Sequence, residues 1–172
     1  MIDEAVCITV VPAGDVVLLD RWSGDIERLC GDIPRLQVEP RRWWLLGAHD
    51  RLEALEARIA DHGALAPIGG GLVRATMSGP GWRSLLMIAG LFDAEDPAFT
   101  TGSIVSTMIH HIAVRIAVTA PEVCDVYFTA SFAPALIELW SRAAGPHSIA
   151  VDPTMTPQLA KSEFLPIHPE DA

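Results

Sequence analysis

Two segments in the second half of the chain each read as a strand that stops at a serine and turns directly into a helix. The first is Ala75-Thr76-Met77-Ser78-Gly79-Pro80-Gly81-Trp82-Arg83-Ser84-Leu85-Leu86, and the second runs from Asp125 to Trp140. The second helix, predicted over 132–144, has the clearest pattern in the chain. Phe132, Leu136, Leu139, Trp140 and Ala143 recur at i, i+4, i+7, i+8 and i+11, which makes one apolar stripe. Gly145-Pro146 stops it. In the first segment Trp82, Leu85, Leu86 and Ala89 fall on one helical face. Ser78 and Ser131 are expected to cap the two helices, with Pro80 and Pro134 in their early turns. Each helix therefore needs a sheet to cover.

Strands are expected at Val16–Leu19, Leu36–Val38 and Trp43–Leu46, and a turn of helix around Ile26–Cys30. Arg51 to His62 reads as a helix with Leu52, Leu55 and Ile59 on one face, Asp50 at its start and Gly63 at its end. Pro67 to Gly71 reads as a flexible break before a strand at 72–77. Ile104–Ile109 and Ala113–Val118 are expected to pair antiparallel about a turn at His110-His111. Val123–Thr129 follows as a third strand, and Ser148–Val151 as a short last one. The expectation is an α+β fold with antiparallel or mixed sheets and helices packed on one side. It comprises residues 1–150 as two loosely related halves, about 1–70 and 71–150. Residues 151–172 form a tail in which Pro153, Pro157, Phe164 and Pro166 lie among polar residues with no periodicity. That tail is either disordered or an extended arm laid on a partner.

At 172 residues the chain is long enough to bury a core without staples. Its net charge of −10, single lysine (Lys161) and scattered arginines argue against nucleic acid as a partner, since phosphate binding needs clustered cations. Three cysteines without CxxC or Cys/His spacing fit a reducing compartment. The start lacks a basic, apolar leader, and the longest apolar run falls far short of the about 20 residues that span a bilayer. The reading is a cytoplasmic protein with no membrane contact. Half the residues are hydrophobic, so some apolar surface is expected to meet another subunit.

Reactive chemistry is sparse. His110 and His111 are adjacent, and neighbours on a strand point to opposite faces, so a hairpin turn is the better reading than a metal site. Gly69-Gly70-Gly71 leads into a strand, whereas phosphate cradles open a helix. The Ser78-to-Gly81 turn has the order strand to helix, but Pro80 lacks an amide donor, so plain capping is favoured there. Cys7 and Cys124 are expected in the core, and Asp93, Glu95 and Asp96 as a solvated cluster. No catalytic, cofactor-binding or metal-ligating residue is assigned. Trp43 and Trp44 are neighbours on a strand and face opposite sides of a sheet. One of them is a candidate interface anchor if its side is solvent, alongside Pro153, Pro157, Phe164 and Pro166 of the tail.

Four blocks carry a family resemblance over roughly residues 36–150. They are Pro40-Arg41-Arg42-Trp43-Trp44-Leu45-Leu46, Met77-Ser78-Gly79-Pro80, Gly102-Ser103-Ile104-Val105-Ser106-Thr107, and Val126 to Trp140 with Ser131-Phe132-Ala133 at its centre. In order and spacing they resemble the gamma subunit of heterotetrameric sarcosine oxidase, itself similar to the folate-binding domains of the glycine-cleavage T-protein. Ile104-Val105-Ser106 replaces the Cys-Ala-Gln of the third block, and the loop Leu91–Phe99 is acidic. A dehydrogenase of another N-methyl amino acid, such as N-methylglutamate, is therefore as consistent with the blocks as sarcosine oxidase.

The resemblance implies a non-catalytic assembly subunit without a cofactor of its own. Its partners would be alpha- and beta-type subunits, with a delta-type subunit as a further member. FAD, FMN, NAD and tetrahydrofolate would sit in those partners, which oxidise the N-methyl amine and pass the one-carbon unit to tetrahydrofolate. The alternative is a free-standing folate-binding protein of one-carbon metabolism.

Overall fold

The computed structural model describes residues 5–155. It contains two sheets, each backed on one face by a pair of helices. The elements run β1 (Cys7–Pro12), β2 (Val16–Arg21), α1 (Ile26–Cys30), β3 (Arg35–Glu39), β4 (Arg42–Leu46), α2 (Leu52–Ile59) and β5 (Gly63–Pro67). There follow β6 (Leu72–Ser78), α3 (Trp82–Met87), β7 (Ile104–Ile109), β8 (Ile112–Ala120), β9 (Val123–Thr129), α4 (Ala133–Ala144) and β10 (Ile149–Val151). The α+β architecture is the one expected.

The smaller sheet has the order β3-β4-β2-β5, antiparallel throughout. With α1 and α2 it forms a split β-α-β unit of the β-α-β-β-α-β kind. Val17, Leu19, Trp43 and Leu45 point to one face and meet Leu29 and Cys30 of α1 and Leu55 and Ile59 of α2. Asp25 caps α1 by accepting from the Arg28 backbone N–H at 3.0 Å. The larger sheet has the order β10-β1-β6-β9-β8-β7. Its covered face carries Ile8, Val73, Ala75, Met77, Val114, Ile116, Val126 and Phe128. These pack against Trp82, Leu85 and Leu86 of α3 and Leu136 and Trp140 of α4. Phe128 and Trp140 meet edge to face at 5.8 Å.

Several expectations change. Residues 7–12 form β1, which joins the larger sheet beside β6. The chain thus starts in one sheet, builds the other, and returns, so a boundary at 70/71 is crossed by the first strand. Gly63–Pro67 is the edge strand β5, and Gly69–Gly71 is a tight helical turn and not a flexible break. A Cβ on Gly69 would stand 1.7 Å from the Gly14 carbonyl oxygen, so the close approach of the two backbones requires glycine there. Neither serine caps a helix. Ser78 is the last residue of β6, and Gly81 occupies the position before α3. Ser131 sits in a helical turn that precedes α4, whose first residue is Ala133, with Pro134 in its first turn. Asp50 lies likewise in a short turn and makes no cap bond to α2. Phe132 falls off the α4 stripe and is 45% exposed, with Ala133 in its place inside. Ala89 lies beyond α3 with a positive φ of 59°.

At the end of the described chain, β10 pairs parallel with β1, and Asp152 donates its amide to the Val10 carbonyl. Met155 is buried in the larger core. Ordered packing therefore extends past residue 151, where the tail is expected to begin. Pro153 lies in this segment and is exposed. Pro157, Phe164 and Pro166 lie outside the described residues.

Candidate functional site

The faces of the two sheets that carry no helices approach each other, and the residues there are set by strand register. In the larger sheet, Tyr127 of β9 is opposite Arg74 of β6 on one side and Arg115 of β8 on the other. Arg115 is in turn opposite Ser106 of β7. Side chains directly opposite share a face, so a row Arg74–Tyr127–Arg115–Ser106 crosses four strands. In the smaller sheet, Trp44 is opposite Leu18 and Leu36, and Leu18 is opposite Ala66. The two rows meet where Trp44 and Tyr127 pack edge to face, with centroids 5.8 Å apart at 79°. The Ser106 hydroxyl donates to the Val38 carbonyl at 3.2 Å, joining β7 to β3 at the rim.

This seam is polar in a way the helix-covered faces are not. The Nε atoms of Arg74 and Arg115 are buried and have no hydrogen-bond partner. Arg115 spends one terminal nitrogen on the Val114 carbonyl, and another stands 4.0 Å from Glu39. Glu39 is itself held by Arg42 at 3.1 Å. Asp125, the nearest acid along β9, accepts from the Thr76 hydroxyl at 2.6 Å. Burial pushes the Tyr127 phenol above its ordinary range, and the charge of Asp125 adds to this. Arg74 beside it pulls the other way and offsets the rise only in part. A cavity of about 150 Å³ opens at this point, lined by Trp44, Leu72, Ala113, Arg115, Tyr127, Phe128 and Thr129.

The residues singled out by sequence take other places. Trp43 is 6% exposed and belongs to the core of the smaller sheet, with the Arg21 guanidinium 4.8 Å above its ring. It therefore offers no anchor to a partner, because its face of the sheet is the one covered by α1 and α2. Trp44 is half-buried against Tyr127. His110 and His111 form a two-residue hairpin turn with φ of 47° and 68°, both side chains exposed. That conformation is the one hairpins favour and L-residues resist. Cys7 is exposed, contrary to its expected place in the core, because it lies on the uncovered face of β1. Cys124 is fully buried, and burial raises its thiol pKa far above the reactive range.

The turn Ser78-Gly79-Pro80-Gly81 spends its amides internally. Gly79 donates to the Glu122 carbonyl and Gly81 to that of Ala5, which leaves no nest for an anion. In the acidic loop, Asp93 and Asp96 accept from the amides of Glu95 and Ala98. Arg83 fastens that loop to α3 by donating to the Ala94 carbonyl and, at 2.8 Å, to the Phe99 carbonyl. Among the described residues, no three His, Cys, Asp or Glu side chains converge as a metal site would require. No described helix is long and apolar enough to cross a membrane.

Among the described residues, the larger exposed apolar side chains are Trp22, Met87, Leu91, Met108 and Phe132, with Leu91 at 69%. Leu91 donates its amide to the Met108 carbonyl, so these two sit side by side at the β7 edge.

No family model matches the sequence, and no curated protein is recognisably similar to it in sequence. Similarity appears at the level of structure. A chain of the heterotetrameric sarcosine oxidase from Corynebacterium sp. U-96, solved in complex with pyrrole 2-carboxylate, superposes with a TM-score of 0.73 at 15% identity. The match covers 84% of this chain and 86% of that one. The regulatory subunit of aspartate kinase from Thermus thermophilus superposes with a TM-score of 0.50 at 16% identity, over 81% of this chain and 99% of that one. The chain thus shares its α+β fold with a chain of a heterotetrameric sarcosine oxidase.

Proposed function

We propose that this chain is a non-catalytic assembly subunit of a multi-subunit, flavin-dependent enzyme of the sarcosine oxidase type. The reaction in this reading is oxidative demethylation of an N-methyl amino acid, with transfer of the one-carbon unit to tetrahydrofolate. FAD, FMN, NAD and tetrahydrofolate belong to alpha- and beta-type partners, with a delta-type chain as a further member, and the present chain binds none of them. The observation that carries the reading is the near end-to-end match in both directions with one chain of a heterotetrameric enzyme. A match that fills 86% of that chain is what a subunit would give, and a shared module inside a larger enzyme would leave much more uncovered. The exposed pair Leu91 and Met108 adds apolar surface of the sort that subunit contacts cover.

Co-expression tests it. The chain is produced together with sarcosine oxidase-type flavoprotein subunits, and a tag on this chain is used for purification. Recovery of a flavin-containing complex in fixed ratio is expected, together with amine-oxidising activity that survives substitution of any single polar side chain of this subunit. Recovery of this chain alone, with micromolar affinity for tetrahydrofolate, would replace the reading with that of a free-standing folate-binding protein.

A further inference from the structure

The row Arg74–Tyr127–Arg115 places two guanidinium groups on one face, two strands apart, on either side of a single phenol. Like charges so placed repel unless something negative lies between or above them. The chain has acids in abundance, at a net charge of −10, yet the two beside this row, Glu39 and Asp125, are already engaged by Arg42 and Thr76. Among the described residues no carboxylate comes within 4.0 Å of Arg74, and the one beside Arg115 is at that limit and already paired with Arg42. Both Nε–H donors are buried without acceptors. A buried donor left without a partner is destabilising, and more so when it is charged. Of the two, Arg115 lines an open cavity beside Tyr127, and the one carboxylate near it is shared with Arg42.

The cavity sets what that acceptor can be. Its volume of about 150 Å³ compares with roughly 30 Å³ for each water of the liquid. It takes a small molecule and excludes an extended cofactor. One wall, from the larger sheet, is Arg115, Tyr127, Leu72, Ala113 and Thr129, and the Trp44 indole of the smaller sheet faces it. A planar fork of donors beside aromatic and aliphatic surface recognises a carboxylate on a compact apolar body. Inorganic phosphate would leave the Trp44 wall unused.

We propose that the seam between the two sheets binds a small monocarboxylate. Arg115 and the Tyr127 hydroxyl hold its carboxylate, Trp44 covers its apolar end, and Arg74 positions Tyr127 from the far side. This site is independent of the assembly role and can stand or fall without it.

The test is a titration of the full chain with sodium benzoate, followed by tryptophan fluorescence, with benzamide and sodium chloride as neutral and ionic controls. A saturable change with a millimolar or tighter dissociation constant is expected for benzoate, and none for the controls. Trp44→Phe should remove most of the signal. Arg115→Gln should weaken binding at least tenfold, and Tyr127→Phe several-fold. If Arg115→Gln fails to fold by circular dichroism, Arg115→Lys takes its place. It keeps the charge, loses the fork, and should still weaken binding at least threefold. No saturable change, an equal response to sodium chloride, a full signal in Trp44→Phe, or unaltered affinity in the arginine variant that folds would each overturn the proposal.

Discussion

Tyr127 is the only tyrosine in the chain, which makes its environment directly measurable. It is 3% exposed, lies between two arginines, and has its pKa raised by burial above the ordinary 10.0. The folded state therefore holds the phenolic proton more tightly than the unfolded chain does. The resulting stability is fully present below pH 10 and is lost as pH rises from there through the folded pKa. Absorbance titration of the phenol should give a midpoint above 10.0 in the native protein and an ordinary one in denaturant. Tyr127→Phe should flatten the alkaline fall in unfolding free energy. An ordinary midpoint in the native protein would contradict the buried placement. None of this is legible in the sequence, where Tyr127 is one aromatic in a strand. Its neighbours Arg74 and Arg115 lie 53 and 12 positions away by number, and only the register of β6, β9 and β8 brings the three together. Trp44 shows the other side of the same limit. Strand alternation separates it from Trp43, but which of the two faces a helix layer depends on where α1 and α2 fold back.

At the scale of elements, periodicity served well where one face is buried and poorly where neither is. Helix α4 and the strands β6, β8 and β9 alternate clearly, and their helix-facing buried positions meet the same core. Trp140→Ala in that core is expected to cost about 3–5 kcal/mol in urea unfolding. β5 escaped notice because Gly63-Ala64-Leu65-Ala66-Pro67 is built of small residues with weak strand preference, tolerated at an edge. β1 does alternate, with Ile8 and Val10 buried and Cys7 and Thr9 exposed. Its partner, though, lies some 67 residues on, at Thr9 opposite Thr76, which no local reading supplies.

The hairpin between β7 and β8 holds two histidines in a conformation better suited to Asn-Gly. The double change His110→Asn with His111→Gly should raise stability by about 1 kcal/mol, seen as a higher urea midpoint. A lower midpoint would show that these imidazoles do more than turn the chain. Arg83 ties the acidic loop to α3 through the carbonyls of Ala94 and Phe99. Arg83→Met should cost about 2 kcal/mol and speed amide exchange across residues 91–103 while leaving β2–β5 unchanged.

The molecule as a whole consists of two helix-backed sheets joined along bare faces, with its first strand committed to the sheet that is completed last. Both helix pairs lie on the outside of this arrangement, so the surfaces left to other molecules are the seam, the sheet edges and the exposed apolar side chains near Leu91 and Met108. Leu91→Asp with Met108→Asp should weaken recovery of partner subunits at least tenfold without altering the circular dichroism of the chain. Unchanged recovery would move the contact elsewhere. The fold class and most elements could be read from the sequence. The exposed pair Leu91 and Met108 could not, because their exposure depends on how the loop after α3 lies against the β7 edge. Most direct for the central claim is the native mass of this chain, recovered by an affinity tag from the cells that produce it. A heteromer of defined stoichiometry that contains a larger, flavin-bearing chain is expected. A flavin-free monomer as the sole species would contradict it.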